Sequence, residues 1–155
     1  MRYLKTYNLY KRVSKDSKLF ESSEENTKHI EMLKSLCYDL TDHDYSIIFS
    51  EKKEDISVNI SNNNLVSDEN LEKYPELRYY KTEPFKYEQI KDCFESMIEY
   101  MDGENFEISR IVYSTPQDPA SHNWLHYYND GNLSKYFSGY YQHIEILFKK
   151  KIINN

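Results

Sequence analysis

Residues 45–60, Tyr-Ser-Ile-Ile-Phe-Ser-Glu-Lys-Lys-Glu-Asp-Ile-Ser-Val-Asn-Ile, decide how this chain folds. Tyr45, Ile47 and Phe49 alternate with other side chains, Lys52-Lys53-Glu54 interrupts them, and Ile56, Val58 and Ile60 resume at period two. Successive strand side chains point to opposite faces, so each half presents one apolar face and the polar break reads as the turn of a hairpin. A lone hairpin is marginal in water, so its apolar face must be covered by another layer.

The sequence on either side supplies that layer. Upstream, Ile30, Leu33, Leu36, Cys37 and Leu40 recur every three or four residues, which is the stripe of an amphipathic helix ending near Thr41-Asp42. Ser22-Ser23-Glu24-Glu25 has capping-box spacing and predicts the helix start. Downstream, Ile90, Cys93, Phe94, Met97, Ile98 and Met101 form a second stripe, and Gly103 is expected to stop it in a left-handed C′ position. Phe106, Ile108 and Val112 begin a further strand. Near the end, Gln142, Ile144, Ile146 and Phe148 alternate with His143, Glu145 and Leu147 in another. Residues 61–83 have no clear period and read as loop, with a short strand expected at Leu77–Lys81.

A shift of 61 positions superimposes Ser35, Leu36, Leu40, Tyr45 and Ile47 on Ser96, Met97, Met101, Phe106 and Ile108. The order helix, strand, strand then occurs twice. The expected fold is α+β: a two-layer sandwich, two helices on one face of a four- or five-stranded, mainly antiparallel sheet, with a candidate αββ-αββ pseudo-repeat. Residues 1–21 read as a basic amphipathic arm and 22–155 as a single α+β domain.

The 155 residues are 39% hydrophobic and 30% charged, the composition of a small soluble domain rather than a collagenous or disulfide-framework chain. No apolar run approaches the ~18 residues of a membrane span, so no membrane partner is expected. The 16 Tyr beside one Ala and one Trp fit AT-rich coding and make tyrosine the main packing material. Cys37 and Cys93 lie on the two helical stripes and read as buried apolar thiols of a reducing compartment, with a disulfide as the alternative. The N-terminus lacks the apolar region of a secretory signal, which points to synthesis in the cytoplasm.

Charge is unevenly placed. Arg2, Lys5, Lys11, Arg12, Lys15 and Lys18 against Asp16 give the first 18 residues +5, which leaves −11 for the remainder of a chain whose total is −6. An acidic body does not displace phosphate counterions, so direct nucleic-acid binding by it is disfavoured.

Catalytic signals are sparse. His122 and His126 stand four apart, which on a helix would put both imidazoles on one face to hold a metal with Asp118 or Asp130; this is the basis of a metal-dependent hydrolase reading. Pro116, Pro119 and Asp130-Gly131 argue against such a helix. His29, His43 and His143 need no special role. No Gly-rich phosphate loop occurs and no nucleophilic triad is marked, so the chain is read as non-enzymatic with no cofactor. Residues 114–138 form a long connection carrying Trp124, Tyr127, Tyr128, Tyr136 and Phe137. Aromatics in such a segment either anchor a partner or fold back to close the sandwich, so Trp124, Tyr127 and Tyr128 are candidate binding residues.

In the arm, Tyr3, Leu4, Tyr7 and Tyr10 share one helical face, with Arg2, Lys5, Lys11 and Arg12 around the remainder. Such a face can dock on an acidic groove or on its own domain. Leu4-Lys5-Thr6-Tyr7, Leu9-Tyr10 and then Leu19-Phe20-Glu21 resemble the leader of internal head proteins of T-even-type tailed phages, and the opening of many small uncharacterised phage proteins. The resemblance implies a capsid-targeting peptide cut after a Leu/Ile-x-Glu site. Among the glutamates only Glu21 has Leu or Ile two positions before it, which makes Leu19, Phe20 and Glu21 the processing candidates. It also implies a capsid or scaffold partner for the arm and a location in the host cytoplasm and the virion, while the acidic charge of the released body suggests a host protein as its partner. The alternative is a cytoplasmic interaction module whose arm packs in cis.

Overall fold

The computed structural model describes residues 17–125 and 133–152, with side chains from Glu24 onward. Its elements are α1 (Ser17–Leu36), α2 (Tyr38–Asp42), β1 (Tyr45–Lys52), β2 (Asp55–Asn62), α3 (Asp68–Lys73), β3 (Phe85–Lys86), α4 (Tyr87–Gly103), β4 (Phe106–Thr115), β5 (Asp118–Leu125), β6 (Tyr140–Tyr141) and β7 (His143–Lys150). A five-stranded antiparallel sheet runs β1-β2-β7-β4-β5, and β3 pairs with β6 in a two-residue ribbon.

The helical stripes cover one face of this sheet. Ile30 and Leu33 of α1 and Ile90, Phe94, Met97 and Met101 of α4 are buried in one cluster with Ile56, Val58 and Ile60 of β2 and Ile144, Ile146 and Phe148 of β7. The expected α+β sandwich is therefore the observed one. Burying a side chain such as Ile or Phe contributes roughly 1.5–3 kcal/mol, so these alternating positions are the main force holding the layers together. Cys37 and Cys93 lie buried in the same core.

The internal repeat is present in the strand register. Val58 faces Ile146 across the central β2-β7 pair, Ile56 faces Phe148 and Ile60 faces Ile144. Rotation about the Val58/Ile146 pair carries Ile56 onto Ile144 and Ile60 onto Phe148. It also carries β1 onto β4: Tyr45 faces Asn62 as Phe106 faces Lys150, and Ile47 faces Ile60 as Ile108 faces Phe148. Both halves leave their helix through a left-handed residue, Asp44 (φ 70°) and Asn105 (φ 65°), which stand 61 positions apart. β5 belongs to neither half and extends the sheet at one edge.

Several details depart from the sequence reading. Ser22 lies inside α1, which runs unbroken from Ser17, so the Ser-x-x-Glu spacing there does not mark a helix start. Gly103 is the last residue of α4 rather than its left-handed stop; Asn105 takes that role, its side chain being short enough to tolerate positive φ. Leu77–Lys81 is not a strand: Pro75–Tyr79 forms a 3-10 turn, with proline supplying the fixed φ of its first turn and Leu77 buried beneath it. A register shift between Ile108 and Arg110 inserts a bulge in β4, so Phe106 and Ile108 face the core while Val112 does not.

The long connection also proves to be largely structured. Its first part is β5, antiparallel to β4, and its last part returns to the core. Phe137 is buried, stacked on Tyr87 at 4.6 Å between ring centres and edge-on to Phe94 and Tyr141, while Tyr136 packs half-buried beside it. These two aromatics close the sandwich. Among the described residues no helix is long and apolar enough to cross a membrane.

Candidate functional site

Strand alternation turns a second set of side chains to the face away from the helices, and the register assembles them into rows. Ile48, Asn59, Glu145, Val112 and Trp124 form one row across all five strands. Ser50, Ser57, Leu147 and Arg110 form the next, and Ser46, Ser61, His143 and Ser114 another. Ile48 and Trp124 stand 60% and 58% exposed at the two edges of their row. The Arg110 guanidinium lies 5.1 Å from the centre of the Trp124 ring. A cation over an indole face is attracted by the ring quadrupole, so the pair holds a large aromatic surface upright on β5.

At one end of this face, Ser61, Tyr80, Thr82, Ala120, His122 and His143 line a shallow cleft of about 340 Å³. The His122 and His143 rings meet edge to face at 5.5 Å, and the Ser114 hydroxyl and His143 Nδ1 share a 2.6 Å hydrogen bond. Burial, reinforced by neighbouring His122, holds His143 below the ordinary imidazole pKa, so it is neutral at pH 7. Gln142 is buried at the cleft wall and its Nε2 donates to the Thr82 carbonyl at 2.9 Å. A serine beside a neutral imidazole resembles half of a nucleophilic triad, but Ser114 is fully buried and closed to a substrate. Its bond to His143 ties β4 to β7.

Trp124 is on an exposed strand edge rather than in a loop. His122 is on β5, not on a helix, and the imidazole it meets among the described residues is that of His143. The carboxylate of Asp118 accepts a hydrogen bond from the Ser121 hydroxyl. Among the described residues no group of three or more His, Cys, Asp or Glu is arranged to hold a metal. His126, Tyr127, Tyr128 and Asp130 lie outside the described residues, as do Tyr3, Leu4, Tyr7 and Tyr10 of the arm. Leu19, Phe20 and Glu21 fall on the first turns of α1.

Sequence reasoning missed His143, Ser114 and Arg110 as members of this surface. The outward alternation of His143, Glu145 and Leu147 was legible, but their cross-strand neighbours depend on strand order and on the β4 bulge.

A second concavity lies on the helix side. Glu95, Glu99, Asp102 and Glu107 rim a groove of about 440 Å³ floored in part by Ile98 and Ile108. Lys151 pairs with Asp102 at 2.6 Å and Lys149 with Glu107 at 3.4 Å. No known protein family, curated protein or solved structure matches the chain.

Proposed function

We propose that this chain is a phage-encoded, non-enzymatic protein-binding domain, carried with the virion by its N-terminal arm, that docks a host protein through the face of its sheet turned away from α1 and α4. The observation that carries the docking step is Trp124, more than half exposed and propped by Arg110, on a face that also carries exposed Ile48 and half-buried Leu147. Tryptophan and arginine are the residues most enriched at binding hot spots, and the serines and Asn59 around them form a polar rim. The virion assignment is supported by the Leu4-Lys5-Thr6-Tyr7 and Leu19-Phe20-Glu21 motifs and by the +5 charge of the first 18 residues against −11 for the remainder. Cleavage after Glu21 requires the first turns of α1 to unwind, since proteases act on exposed, locally open chain.

Mass spectrometry of purified virions tests the packaging step. The chain is expected among the virion proteins, with a new N-terminus at Ser22 where processing has occurred; virions free of it overturn the assignment. Trp124→Ala tests the docking step, with loss of the partner from a folded variant as the expected result.

A second reading is favoured by the acidic groove. Glu95 and Glu99 on its rim and its apolar floor suit a basic amphipathic segment, and the arm is one, so this reading makes the chain a cytoplasmic interaction module whose arm docks in cis. Limited trypsin digestion separates the two. Protection of Lys5, Lys11 and Arg12, abolished by Glu95→Lys with Glu99→Lys, supports cis docking; rapid cleavage in the arm of the parent chain supports the leader reading.

A further inference from the structure

Cys37 closes α1 as the residue before α2, and Cys93 lies midway along α4, 56 positions away in sequence. The folded chain brings their sulfurs to 2.7 Å, with the Met97 thioether 3.3 Å from Cys37. Two unbonded sulfurs ordinarily stand well beyond this distance, and a disulfide bond spans about 2.0 Å. From this juxtaposition we infer that Cys37 and Cys93 are a cross-linking site, which a small peroxide converts to an intramolecular disulfide without rearrangement of the core.

The chemistry is a two-electron oxidation with hydrogen peroxide as the oxidant. Cys93 is 9% exposed whereas Cys37 is fully buried, so a small oxidant in solvent reaches Cys93 first. Its thiolate attacks one peroxide oxygen, the O–O bond breaks, and a sulfenic acid forms with release of hydroxide. The Cys37 sulfur then attacks the Cys93 sulfur, the S–O bond breaks, and hydroxide leaves. The two protons lost by the thiols convert the two hydroxides to water, so two thiols and one peroxide give one disulfide and two waters. The Cys93 contact and burial both push the Cys37 thiol up, so Cys37 gives up its proton only as it attacks, to the hydroxide that leaves the Cys93 sulfur.

The link joins the two helices that cover the sheet, one from each half of the internal repeat. It closes a long loop and removes conformations from the unfolded chain, which raises stability without altering the native packing. This inference is independent of the leader and of the docking face.

The test treats the full native chain with hydrogen peroxide and maps its peptides without reduction. The expected product is a monomer about 2 Da lighter, with Cys37 and Cys93 in one linked peptide pair, melting about 5–10 °C higher until dithiothreitol reverses both changes. Recovery of both free thiols, sulfinic acid at Cys93 with no linked pair, disulfide-bonded dimers, or a linked monomer that melts no higher would each overturn it. Because the readout is on the unsubstituted chain, it does not depend on whether a cysteine variant folds.

Discussion

Val58 on β2 lies directly opposite Ile146 on β7, and both side chains are fully buried beneath the helices. They are the pivot of the internal two-fold: Ile56 and Ile60 correspond to Ile144 and Phe148, and the match of β1 to β4 holds as far as the bulge after Ile108. The centre of the sheet is therefore the place where the two halves of the chain hold each other.

Truncation at this pivot should be costly. Ile146→Ala is expected to lose about 2–5 kcal/mol and Ile146→Val about 1 kcal/mol, because the cavity opens where both halves meet and cannot collapse easily. Urea unfolding followed by circular dichroism measures both. A loss below about 1 kcal/mol for the alanine variant would mean that the central pair does not organise the core.

The exit from α4 provides a test with opposite signs two residues apart. Gly103 is helical, and a Cβ there meets nothing within 4 Å, so Gly103→Ala should stabilise by about 0.5–1 kcal/mol through the unfolded state. Asn105 holds φ 65°, and Asn105→Ala should cost about 1 kcal/mol. A left-handed stop at Gly103 would reverse the first result.

Acidification should weaken the fold through two histidines. Burial lowers the pKa of both His29, which contacts Tyr100 at 3.0 Å, and His143 below the ordinary value of 6.5. As pH falls from 6.5 toward the folded values, the unfolded chain takes up protons that the folded chain does not, so stability declines across that window and then levels off for these groups. Glu25, whose pKa is lowered by its bond to Lys150, adds a separate decline below 4.5. The combined His29→Gln and His143→Gln chain should show a flatter stability profile between pH 6.5 and 5. An unchanged slope would remove both histidines from the account.

Trp124 is the chain's single tryptophan, which makes its fluorescence a direct probe of the open face. At 58% exposure it should emit as a solvated indole and be quenched readily by iodide. Occupation of the face by a protein partner should shift emission to the blue and block quenching. Trp124→Ala should leave the melting temperature nearly unchanged, since the ring contributes little to the core.

Periodicity alone determined most of the layers. Tyr45–Ile60 identified a hairpin, Ile90–Met101 a helix and Gln142–Phe148 a strand with its core face assigned, because each pattern reflects which side chains water expels. The 61-residue shift even matched Tyr45 to Phe106, and the register agrees. What sequence could not supply is which strands become neighbours and where the alternation slips. The bulge beyond Ile108 turned Val112 away from the core, β5 arose within a stretch that reads as loop, and the meetings of His143 with Ser114 and of Cys93 with Cys37 join residues 29 and 56 positions apart. Local pattern records the preference of each residue for burial, whereas the partner it meets depends on the closure of the whole sheet. The chemistry of this protein lies in such meetings, and they exist only in the tertiary structure.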